Sequence, residues 1–350
     1  GLSASDGAVP FNIRLRRRPA LYEQVEWTFP IAYKNLRFNR PLPETRALMN
    51  IVDRIKPQFV YSLHNAAFGG AFWYLSHDAP ELIDAFHTAA KRQNMPIHLS
   101  EPEAPFIQPL APGVFRFFGI QEHYDYLEQL TGQPPQLGYG TCCGDYAASK
   151  GECLNVVTEL PYFSHPDIQN TDASNLTLRD VFLQSAELSD KHYGEMARDL
   201  EKLHSHMSLR PHISEDNPFV RYVEEMVNMW MESKEATRKW AEKNPELQRP
   251  ATISQVFNHL RVKEVYMGLI HGLIVRAYHH ELERLKQSGE TSSKTFTFLL
   301  HAYEEKKARL TDMCNRLETE LSYSVVPIQN LVRIQLESGI AAALYSGDRL

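Results

Sequence analysis

The chain has 350 residues, 43% of them hydrophobic and 23% charged, which is enough apolar material for two or three ordinary domains with a real core. A formal charge of -6, from 43 acidic and 37 basic residues, gives no broad attraction to phosphate and argues against nucleic acid as the main partner. No window approaches the ~20 apolar residues of a membrane span, and the opening Gly1-Leu2-Ser3-Ala4-Ser5-Asp6-Gly7 lacks the apolar stretch of a signal peptide. A cytoplasmic protein without a membrane anchor is expected. Its cysteines, Cys142, Cys143, Cys153 and Cys314, fit neither a usual disulfide nor a zinc-ribbon spacing and are expected as reduced thiols.

In chain order, Arg14, Arg16, Arg17 and Arg18 come first, as a solvated loop or an anion site. From Glu44 to Ile55 the apolar positions Ala47, Leu48, Ile51 and Ile55 keep helical spacing. Gln58 to Leu63 reads as a buried strand, being rich in aromatic and β-branched residues between a proline and a glycine-bearing loop. A second strand, Leu154 to Leu160, is closed by Pro161. Helix followed by strand, repeated, predicts an α/β fold with a mixed central sheet flanked by helices.

From about Leu176 the texture changes to long charged helices. One is expected from Leu178 to His206 and a second from Pro218, capped by Asn217, to about Asn244. A third begins near Ser254 and breaks at Ser288-Gly289, a fourth spans Lys294 to Tyr323, and a last runs from Pro327 to Leu344 with the option of returning to the body. The expected division is an α/β domain over 1–210 and a helical bundle or arm over 211–350, whose amphipathic faces also offer a route to an oligomer.

Two residues stand out chemically. His64 closes the first strand, where α/β proteins place ligand groups because the loops there form a crevice. Glu159 lies in an otherwise apolar strand, and a buried carboxylate costs several kcal/mol unless it is paired, coordinated or protonated. Each also has a plain reading, a hydrogen-bonded histidine and a glutamate facing solvent at a strand end.

Together with Pro43-Glu44-Thr45-Arg46-Ala47-Leu48 and Asp145-Tyr146, these segments resemble the zinc carboxypeptidases over roughly Asp6 to Tyr162. The resemblance implies that His64 is a zinc ligand and that Glu159 is the base activating a zinc-bound water. The substrate would be a peptide or small amide with a free carboxylate. Asn39-Arg40 resembles the family's Asn-Arg pair, although only three residues separate Arg40 from Glu44; Tyr139 is the nearest counterpart of its mobile tyrosine, and Asp145 of its aspartate ahead of the catalytic glutamate.

The family's first two ligands come from a His-x-x-Glu segment expected ahead of Asp6-Gly7. The same spacing recurs at His98/Glu101, His212/Glu215, His280/Glu283 and His301/Glu304, none of them upstream of His64. With His64 as the single ligand, residues 1–350 are expected to hold no stoichiometric zinc. The rival expectation is a metal-free relative that binds or scaffolds through its helical region.

Overall fold

The computed structural model describes residues 23–206 and 217–347. The arginines at 14 and 16–18, and the pair His212/Glu215, lie outside the described residues. The chain begins with a hairpin, β1 (Ile31–Tyr33) and β2 (Leu36–Phe38), then α1 (Pro43–Ile55), β3 (Phe59–His64), β4 (Phe72–Leu75) and α2 (Pro80–Arg92). There follow β5 (Pro109–Ala111), β6 (Val114–Arg116), α3 (Ile120–Thr131), α4 (Cys143–Ala148), β7 (Leu154–Glu159), β8 (Phe163–Ser164) and β9 (Ala173–Thr177). Next come α5 (Leu178–His206), α6 (Pro218–Lys243), β10 (Pro250–Thr252) and α7 (Ile253–Val256), which runs through a π-helical stretch, Phe257–Val262, into α8 (Lys263–Gln287). The last elements are α9 (Lys294–Leu321), β11 (Ser324–Val325) and α10 (Ile328–Gly347).

The central sheet has five strands in the order β3-β7-β4-β6-β5. β3 runs parallel to β7, β7 antiparallel to β4, β4 parallel to β6 and β6 antiparallel to β5, so the sheet is mixed as expected. The central strand β4, Phe-Trp-Tyr-Leu, is buried at every position. Such a run suits a strand covered on both faces. Trp73 stacks on Phe86 of α2 with ring centroids 5.3 Å apart. The helices begin and end for local reasons: Pro43 and Pro80 occupy the first turns of α1 and α2, and α1 stops at Lys56 in the left-handed conformation. β3 is one edge of the sheet and β5 the other. In the same unit, Leu48, Ile51 and Ile55 of α1 and Val332, Leu336, Ile340 and Leu344 of α10 are exposed.

Two compact units emerge, and they do not follow a single cut near residue 210. Among the described residues, the α/β unit takes 23–181, 246–258 and 323–347, and the helical unit takes 182–206, 217–245 and 259–322. Two stretches expected in the helical half therefore belong to the α/β unit, where each adds a strand to a separate two-stranded sheet. β10 pairs with β9, and β11 with β8. The last helix buries Leu331, Ile334 and Ala342 in the core that holds Trp73, Leu75 and Phe86. Gly339 of α10 lies flat on Tyr61 of β3, so close that a Cβ would sit 2.5 Å from Cε1 of the ring. The helical unit has its own core, including Met196, Leu203, Val223, Ile274, Tyr278 and Leu299. Asn217 caps α6 as expected, its side chain accepting from the N–H groups of Phe219 and Val220. Among the described residues, no helix is long and apolar enough to cross a membrane.

Candidate functional site

The parallel register of β3 and β7 places His64 directly opposite Glu159. Their side chains meet, His64 Nδ1 lying 2.9 Å from Glu159 Oε1. A third residue completes the group, since His64 Nε2 is 3.2 Å from Oε1 of Glu26. The site is partly open: the side chains of His64, Glu159 and Glu26 keep 32%, 14% and 41% of their exposure.

Glu26 sits in a short 3-10 turn, Val25–Trp27, that is tied down by residues on both sides. The Thr45 hydroxyl of α1 donates to the Val25 carbonyl at 3.1 Å and lies 2.6 Å from the Thr28 hydroxyl. Gly140 N–H donates to the Trp27 carbonyl at 2.7 Å, and Phe29 bridges to Thr141. Gly140 allows this approach, because a Cβ there would lie 2.2 Å from the Phe29 carbonyl oxygen. Gly140→Ala should accordingly lower stability by about 1–3 kcal/mol, the usual cost of overpacking. A thermal shift with no change in melting temperature would show that the turn is not pinned there.

The His64 carbonyl is itself fixed, accepting from Gln335 Nε2 of α10 at 3.2 Å. Two carboxylates, Glu159 first and then Glu26, favour the charged imidazolium and raise the His64 pKa from 6.5 to about 10. Beside the pair, Tyr74 of β4 donates to Glu103 at 2.7 Å. Burial first, then the charge of Glu103, pushes the Tyr74 hydroxyl well above its ordinary value.

The other sequence candidates have separate partners. Tyr139 is buried, its hydroxyl 2.9 Å from His123 Nδ1 and its ring edge-on to Trp27. Asp145 accepts from Thr141 and from the backbone of Ile120, so it holds the start of α3. Burial raises its pKa. A side chain at Gly119 would collide with that carboxylate, a Cβ falling 1.9 Å from Oδ2. Asn39 and Arg40 are exposed, with the Arg40 guanidinium 5.6 Å from the centroid of the Phe38 ring. His98 Nε2 meets the backbone carbonyl of Glu101 at 3.0 Å rather than its carboxylate. Glu283 pairs with Lys286 at 2.7 Å.

The zinc that the resemblance implies at His64 can be tested against this donor set. A catalytic zinc takes about three protein ligands converging on one point. Glu159 faces one ring nitrogen and Glu26 the other, so the three groups do not converge, and an imidazolium has no lone pair to give. The described donors at His64 do not fit zinc. The one set of three converging His, Cys, Asp or Glu ligand atoms among the described residues is in the helical unit, at His192, Glu195 and His271.

Sequence reading missed Glu26, which has no local signal, and it missed His192–Glu195, whose spacing of three is common on any helix. Searches of protein families, of curated proteins and of solved structures each give no match to this chain.

Proposed function

We propose that the chain carries part of the reaction site of a zinc carboxypeptidase-like hydrolase, which cleaves a peptide or amide bond near a free carboxylate with Glu159 as the base. The observation behind this reading is the β3–β7 register, which sets side by side the two residues singled out by the sequence. A glutamate at this position can take a proton from an attacking water at Oε2, the oxygen not facing His64, and return it to the leaving amine. The imidazolium of His64 holds that carboxylate in place. No step is assigned to a metal, because a zinc centre here would need ligands beyond the described set and the release of one His64 nitrogen.

A second reading, a metal-free relative that binds rather than cleaves, is favoured by one observation: both nitrogens of His64 are engaged by carboxylates. The two readings separate in one assay of protein expressed from its complete coding sequence, with zinc supplied. Turnover of N-acyl dipeptides with a free terminal carboxylate, and none of their amides, is expected of the hydrolase. Glu159→Gln should then lower kcat by about 10²–10⁴, the usual worth of a positioned base. Binding without turnover would leave the second reading in place, and neither would remove both.

A further inference from the structure

The core of the helical unit contains a second cluster of chemically capable side chains. His192 and Glu195 lie three residues apart on α5, which places them on one face of the helix. His271 reaches them from α8, its Nε2 lying 2.8 Å from His192 Nδ1 and 3.9 Å from Glu195 Oε2. All three ligand atoms fall within 4.8 Å of one another. Both histidines are 5% exposed, whereas the Glu195 side chain keeps 28% and leaves a way in.

Those distances lie on either side of what an ion would set. Two ligands at ~2.0–2.1 Å from a tetrahedral zinc are about 3.3 Å apart. Placing an ion between the three atoms would open the imidazole contact by about half an ångström and close the Glu195 gap by a similar amount. Without an ion, the 3.9 Å approach of the carboxylate is too long for a hydrogen bond. The outward nitrogens, His192 Nε2 and His271 Nδ1, are buried without a hydrogen-bond partner. Ligation through the inward nitrogens makes both outward ones N–H donors, so the bound state calls for a water at each.

The surroundings are compatible with a cation. Lys306 and Lys191 oppose positive charge here, Glu264 favours it, and Lys306 is already paired with Asp199 at 2.6 Å.

We propose that His192, Glu195 and His271 form a binding site for a divalent transition ion, zinc by preference, with the fourth position open to water. Two imidazoles and one carboxylate suit zinc among the available ions. The ion would link α5 to α8 within the bundle. This site does not depend on the reading of His64.

The test is zinc content after dialysis against a weak chelator, with cobalt(II) absorption as a second readout. It uses the whole chain and four forms, each checked for folding by circular dichroism: wild type, His271→Ala, Glu195→Gln and His64→Ala. Wild type and His64→Ala should each keep one zinc. His271→Ala should weaken binding at least ~100-fold, the upper end of what loss of an outer-shell partner costs. Glu195→Gln, on the more exposed side chain, should weaken binding in a folded protein even if the histidine variant fails to fold. Wild type without zinc, zinc retained by both cluster variants, or zinc lost from His64→Ala would each overturn the proposal.

Discussion

Lys306→Met should destabilise the helical unit by about 3–5 kcal/mol, the cost of removing one partner from a buried ion pair. Lys306 Nζ lies 2.6 Å from Asp199 Oδ2, and the two side chains are only 8% and 11% exposed. The Tyr278 hydroxyl also donates to Asp199, at 3.2 Å, but a neutral donor cannot replace a cation. Methionine fills the space of the lysine stem, so the loss measured is chiefly that of the stranded carboxylate. Adding Asp199→Leu should recover much of the stability, because an apolar pair of similar volume avoids the desolvation that ions suffer. Urea unfolding, with hydrogen exchange of the amides over 294–321, reads both variants. A single-variant cost below ~1 kcal/mol would mean that the pair is as well solvated as a surface one.

His64 should keep its proton through neutral pH and release it near 10. Its folded pKa lies above the ordinary 6.5, so the stability from its grip on Glu159 and Glu26 is complete below about 6.5. It then declines as pH rises and is gone above about 10. Titration of the His64 ring by NMR measures this directly. Glu26→Gln should lower the midpoint by removing one carboxylate. A wild-type midpoint between 6 and 7, the unperturbed range, would show that the two carboxylates do not hold the ring. High pH would also free a ring nitrogen, so any metal affinity at His64 should rise with alkalinity.

Several of these groups were readable in the sequence because their signals are local. Pro43 and the apolar spacing of α1, the aromatic run of β3 and the valines of β7 each mark an element within a few residues of the bounds found. The start of α5 at Leu178 follows directly from the sequence pattern. His64 and Glu159 were legible as strand-end residues, and their pairing follows once the strands are adjacent. Other features depend on contacts that no window contains. Glu26 reaches His64 only because Thr45 and Gly140 hold its turn. The short strands β5 and β6 carry little pattern of their own. The last helix resembled the preceding ones in texture, and only its burial beside α2 and β3 assigns it to the sheet. His271 joins His192 and Glu195 only after α5 and α8 have packed.

The return of α10 to the sheet has a consequence for how the protein is made. On the ribosome the chain emerges from its amino end at about 5–20 residues per second. β3, β7 and α2 are therefore exposed long before the helix that covers Tyr61 and completes the core around Trp73 has been synthesised. All of 182–245 and 259–322 must be translated in between. The sheet remains unfinished through this interval with its apolar face bare, so the nascent α/β unit should depend on chaperone protection until residues 328–347 clear the exit tunnel.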